Sequence, residues 1–133
     1  MKEFSVEALK SSLQANENIN FSLLFGSSKD GLLKKKNSDI DIAVHLSEKP
    51  SAELLGEIIG QCQSSTNYEN IDLVVLNNSS PILCFEAISG KVITCKSFES
   101  YASFFSLTCR LYEDEMMRIN RYGKKKNRPL KQS

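Results

Sequence analysis

The sequence predicts an α+β (α/β) domain: a small mixed sheet flanked by helices and closed by a long C-terminal helix. Three observations carry that reading. Apolar runs of strand length occur at Phe21 to Phe25, Ile40 to Leu46 and Ile71 to Leu76. Segments with apolar residues three and four apart lie between and after them. Three aspartates, Asp39, Asp41 and Asp72, stand at or near the starts of two of the strands.

A chain of 133 residues is the size of one domain with one ordinary core. With 41% hydrophobic and 25% charged residues it has a globular rather than a disordered composition. A formal net charge of +1 gives no global field that draws the chain onto nucleic acid or a membrane. No apolar run approaches the ~20 residues that cross a bilayer. The four cysteines, Cys62, Cys84, Cys95 and Cys109, lack C-x-x-C spacing. They read as reduced thiols of a cytoplasmic protein.

Ser5 to Ala15 carries Val6, Leu9 and Leu13 at helical spacing. Asn16 to Asn20 reads as a polar break, and Phe21 to Phe25 as a central strand entering a tight turn at Gly26. Ser27 is placed to cap a short helix through Lys29 and Leu32-Leu33, interrupted by Gly31, with Lys34 to Asn37 as a solvated link. Ile40 to Leu46 is the second strand. Ser51 caps a helix with an apolar face of Leu54, Leu55, Ile58 and Ile59, and Gln61 to Asn70 reads as a polar connection. Ile71 to Leu76 is the third strand. Ser80-Pro81 opens a helix that Gly90 stops, and Lys91 to Cys95 is a short extended segment. The last helix runs from Ser97 to about Tyr122, with an apolar stripe through Tyr101, Phe104, Phe105, Thr108, Leu111, Tyr112, Met116 and Ile119. The domain is therefore expected over residues 1–123, followed by a basic, disordered tail over 124–133.

The chemistry centres on Ser38-Asp39-Ile40-Asp41-Ile42-Ala43-Val44. Side chains alternate along a strand, so Asp39 and Asp41 are expected on one face. Like charges side by side call for a cation, and a hard divalent ion such as Mg²⁺ suits carboxylate oxygens. Asp72 is a lone acid in an otherwise apolar strand and needs a reason to be there. Three carboxylates converging on adjacent strands would hold one or two Mg²⁺ ions, which in turn bind nucleotide phosphates. Gly26-Ser27 would bring backbone N–H groups and a hydroxyl to those phosphates. A calcium loop is excluded, because the positions after Asp41 that should carry oxygen ligands hold Ile42, Ala43 and Val44.

Taken together, Gly26-Ser27, the Asp39-x-Asp41 strand and Asp72 resemble the DNA polymerase β-like nucleotidyltransferase superfamily. The short length is similar to its minimal nucleotidyltransferase (MNT) domains. The segment from Asp72 to Tyr122, with Pro81, Phe85-Glu86 and Tyr112, is similar to the MNT antitoxins paired with HEPN-domain toxins. That resemblance implies catalytic and metal-binding roles for Asp39, Asp41 and Asp72, with Mg²⁺ as cofactor and ATP as substrate. It implies nucleotide binding by Gly26 and Ser27, and by Ser38 and Lys29 beside them. The implied reaction transfers AMP to a tyrosine hydroxyl of a partner HEPN ribonuclease and silences it, in a hetro-oligomer with no membrane and no direct nucleic-acid contact. The alternatives are a catalytic subunit adenylylating a small molecule or an RNA end beside a separate substrate-binding subunit, or an antitoxin that acts by binding alone. One departure from the family pattern concerns charge. Ser28-Lys29-Asp30-Gly31 stands where many members carry arginines, so Lys29 or the Lys34 to Lys36 run would have to supply the positive charge.

Other conspicuous residues have plainer readings. His45, the single histidine, has no ligand pattern around it. Tyr112 and Tyr122 read as packing or interface residues, as do the aromatics of the last helix, because a helix is a poor platform for stacking bases.

Overall fold

The computed structural model describes the backbone of residues 2–34 and 37–132, and the side chains of residues 3–34 and 37–122. In chain order the elements are β1 (Lys2–Glu3), α1 (Val6–Gln14), β2 (Ile19–Phe25), a 3₁₀ turn (Gly26–Ser28), β3 (Leu32–Leu33) and β4 (Ile40–Leu46). They continue as α2 (Ala52–Thr66), β5 (Ile71–Val75), a second 3₁₀ turn (Leu76–Asn78), α3 (Pro81–Ile88), β6 (Lys91–Cys95) and α4 (Phe98–Gln132).

The helices begin where side chains can cap them. Ser5, Ser51 and Ser80 accept hydrogen bonds from the amides of Ala8, Leu54 and Leu83 at 3.0, 3.1 and 3.3 Å, and Pro81 occupies the first turn of α3. Four strands form a mixed sheet in the order β5-β4-β2-β6. The β4/β5 pair is parallel, and β2 is antiparallel to both β4 and β6. The β1 and β3 segments form a separate two-stranded ladder.

Strand alternation sorts the core into two layers. Ile40, Ile42, Val44 and Leu46 pack with Leu9, Leu13, Ile58 and Cys62 of α1 and α2. The opposite face gathers Phe21, Leu23, Phe25 and Ala43 against Cys84 and Ala87 of α3, with Tyr101 and Phe104 of α4 beside them. Asp41 alternates with these apolar neighbours and belongs to the α3/α4 face.

Four sequence expectations are corrected. β2 begins at Ile19, inside the expected polar break, because Ile19 is buried and pairs with Leu46. α2 runs on through Gln61 to Thr66, since Cys62 and Thr66 turn inward and the Thr66 hydroxyl donates to the Cys62 carbonyl at 2.7 Å. No helix spans Lys29 to Leu33; the 3₁₀ turn ends at Ser28, and Leu32–Leu33 is strand paired with Lys2–Glu3. Helical backbone in α4 passes Gly123 and continues to Gln132. Lys35 and Lys36 lie outside the described residues.

Along α4, Tyr101, Phe104, Thr108 and Tyr112 face the domain, Tyr112 stacking on Phe85 with ring centroids 3.8 Å apart. Phe105, Leu107, Leu111, Met117, Ile119 and Tyr122 are exposed. No helix among the described residues is long and apolar enough to cross a membrane. All four cysteines are free.

Candidate active site

The site forms where β2 ends and β4 and β5 begin. In the sheet register Phe25 lies opposite Asp41, and Asp41 opposite Asp72. Gly26 follows Phe25 directly, with φ of +74°, a conformation that glycine adopts without a Cβ penalty. A Cβ built there would lie 3.1 Å from Cγ of Asp41 and overlap its Oδ2. The turn backbone therefore rests on the Asp41 carboxylate. Gly90 makes a second close approach: a Cβ there would lie 2.7 Å from Cβ of Phe25.

Asp41 is half-buried and lies beside Asp72 in the strand register. Burial first, then the nearby Asp72 carboxyl, then the charges of Asp39 and Glu86, raise its carboxyl from the ordinary carboxylate range to about 6. Asp39 is exposed and stands one residue ahead of β4. Among the described residues, no three acids, histidines or cysteines are gathered tightly enough to form a ready-made metal cluster. The register thus brings Asp41 and Asp72 together, while Asp39 contributes its charge from the strand's entrance. Glu86 of α3 entered the sequence reading only within Phe85-Glu86, as part of the resemblance and with no place at the site. The packing of α3 on the Asp41 face is what lets its charge bear on Asp41.

Ser27 is exposed at the turn, whereas Ser28 is fully buried and its hydroxyl has no hydrogen-bond partner among the described residues. Lys29 is exposed, and its amide donates to the Gly26 carbonyl at 3.4 Å. Asp30 is paired with Lys91 of β6 at 2.8 Å. The hydrogen bond and charge of Lys91 hold the Asp30 carboxyl below its usual range, with Lys29 and Lys34 adding to the effect. Ser38 is fixed by its backbone: its carbonyl accepts from the Tyr68 hydroxyl at 2.5 Å. His45 lies at the far end of β4, stacked on Phe21 at 4.8 Å and hydrogen-bonded through Nδ1 to the Asn20 amide at 3.1 Å.

The donor set fits a hard divalent cation. Two register-paired carboxylates, one with a pKa raised first by burial and then by neighbouring negative charge, offer hard oxygens. The Gly26 turn beside them offers backbone N–H groups and the Ser27 hydroxyl.

Residues 7–99 match the Polymerase beta, Nucleotidyltransferase family, and the chain belongs to that family. A comparison with curated proteins gave no match. Among solved structures, a toxin-antitoxin crystallised with AMP-PNP superposes with a TM-score of 0.65 at 21% identity, covering 95% of this chain and 94% of that one. The toxin-antitoxin MntA-HepT is similar with a TM-score of 0.60 at 20% identity, covering 94% and 92%. An MNT antitoxin in complex with a tri-AMPylated HEPN toxin from Shewanella oneidensis gives 0.59 at 17% identity, covering 95% of each chain. At these identities the likeness establishes the fold.

Proposed function

We propose that this chain is a magnesium-dependent nucleotidyltransferase antitoxin that transfers AMP from ATP to a tyrosine hydroxyl of a partner HEPN ribonuclease and so neutralises it. The observation that carries the reading is the register of Asp41 and Asp72 beside Gly26. Asp39, Asp41 and Asp72 are the residues that would hold Mg²⁺, which when bound neutralises phosphate oxygens and the departing pyrophosphate. The turn donates backbone N–H groups from Gly26 and Ser27 and a hydroxyl from Ser27 to the phosphates, with Lys29 and Ser38 at its margins. The tyrosine oxygen bonds to the α-phosphorus, and the bond from that phosphorus to the pyrophosphate oxygen breaks. Asp72, exposed at the rim, accepts the hydroxyl proton.

A protein acceptor is supported by α4, which leaves Phe105, Leu111, Met117 and Ile119 uncovered. Solved relatives of the same fold include an antitoxin bound to an AMPylated HEPN toxin. The expected assembly is a hetero-oligomer in the cytoplasm, where ATP is abundant and four free thiols stay reduced.

The test is incubation with ATP, Mg²⁺ and a HEPN-domain protein from the same genome, followed by intact-mass measurement. The partner should gain one or more AMP units, and the double variant Asp39→Asn/Asp41→Asn should add none. A partner that is silenced while its mass stays unchanged would refute transfer in favour of masking. Labelling of a small molecule or RNA end, with no protein adduct, would refute the protein acceptor.

A further inference from the structure

Asp30, four residues after Gly26, is held by a cation from a distant strand. Lys91 opens β6, pairs with Leu24 of β2, and places Nζ 2.8 Å from Oδ1 of Asp30. Its neighbour Gly90 packs so closely on Leu24 and Phe25 that a side chain there would collide with backbone. The root of Lys91 is thereby fixed to the strand that ends in Gly26. On the other flank of β2 stands β4, with Asp41 opposite Phe25. The turn therefore has carboxylates on one side and an ammonium on the other.

The ion pair itself is weakly held. Both side chains are largely in water, with 63% and 46% of their surfaces exposed, and such pairs contribute little to stability. Lys29 and Lys34 add smaller charge effects on Asp30, so three ammonium charges bear on this one carboxylate. A polyphosphate carries several charges and offers Lys91 a stronger partner than a single aspartate does.

We infer that Lys91 binds the terminal phosphates of the nucleotide, with Asp30 as its resting counter-ion. This inference rests on the nucleotidyltransferase reading above. The triphosphate then lies across the turn, its α-phosphate toward Asp41 and Asp72 and its far end toward β6. Asp30 gives up Lys91 when the triphosphate arrives and recovers it when pyrophosphate leaves.

Calorimetric titration of the full chain with ATP, pyrophosphate and AMP, each with Mg²⁺, tests the assignment. Lys91→Ala should weaken ATP and pyrophosphate about tenfold, the scale of one charge-assisted contact, and leave AMP nearly unchanged. Lys91→Arg should restore most of the affinity, and Asp30→Asn should bind ATP at least as tightly as the wild type. Equal losses for ATP and AMP in Lys91→Ala, no loss for either, or weakened ATP binding in Asp30→Asn would overturn the role of Lys91 while leaving the nucleotide reading standing. A wild-type chain that binds none of the three ligands would overturn both.

Discussion

Replacing Asp41 with asparagine should make this protein more stable, and only above a definite pH. In the folded state the Asp41 carboxyl titrates near 6 instead of at its ordinary 3.8. A raised carboxyl pKa means that the fold favours the protonated form. The associated stability is fully present below the unfolded value and is lost as pH rises through about 6. Two pK units correspond to about 3 kcal/mol. Asp41 is only half-buried, and solvent screening reduces the expected penalty to about 1–2 kcal/mol. Asparagine removes the charge, keeps the shape, and can donate an amide hydrogen to Asp72. Urea unfolding of both proteins from pH 4 to 8, without divalent ions, should show no difference at the acid end and a gain of about 1–2 kcal/mol for Asp41→Asn above pH 6. Adding Mg²⁺ at pH 8 should stabilise the wild type more than the variant, because the ion relieves a repulsion that asparagine lacks. An Asp41→Asn protein that is equally or less stable than the wild type at every pH would refute the crowded-carboxylate argument.

Three further outcomes follow from the same geometry. Gly26→Ala must fit a Cβ into the space of the Asp41 carboxylate at φ +74°, and should cost about 1–3 kcal/mol by thermal melting and abolish the proposed AMP transfer. The His45 imidazole, desolvated against Phe21 and Phe104, has a pKa below its usual value; its contribution is present above the unfolded pKa and lost as pH falls through the folded one. NMR titration of this single histidine should give a midpoint below 6.5, and a midpoint at or above it would contradict the packing. Tyr112→Ala removes the ring stacked on Phe85 between α3 and α4, and should lower stability by about 2 kcal/mol in denaturant melts, against near-neutral change for the exposed Tyr122→Ala.

Much of this arrangement was legible in the residues, and the gaps have physical causes. Alternation in Ile40 to Leu46 and the serine caps mark elements through local geometry, which a sequence displays directly. The end of α2 was missed because its last turn is polar outside and held inside by only Cys62 and Thr66. The pairing of β1 with Leu32–Leu33 joins segments about 30 residues apart, with no pattern in either to announce it. At the site, the spacing of Asp39, Asp41 and Asp72 singled these acids out as candidates, and the structure adds that Asp41 and Asp72 are register partners. The influence of Glu86 and the placement of Lys91 come from α3 and β6 packing onto the sheet, and tertiary packing has no short-range signature.

The position of the two register partners within the sheet has a mechanical consequence. Asp41 sits on β4, which is hydrogen-bonded on both flanks and further clamped at its end by Asn77, whose side chain meets both the amide and the carbonyl of Leu46 at 2.9 Å. Asp72 sits on β5, which among the described residues has a neighbouring strand on one side only. One carboxylate is thus mounted on a fixed jaw and the other on a compliant one.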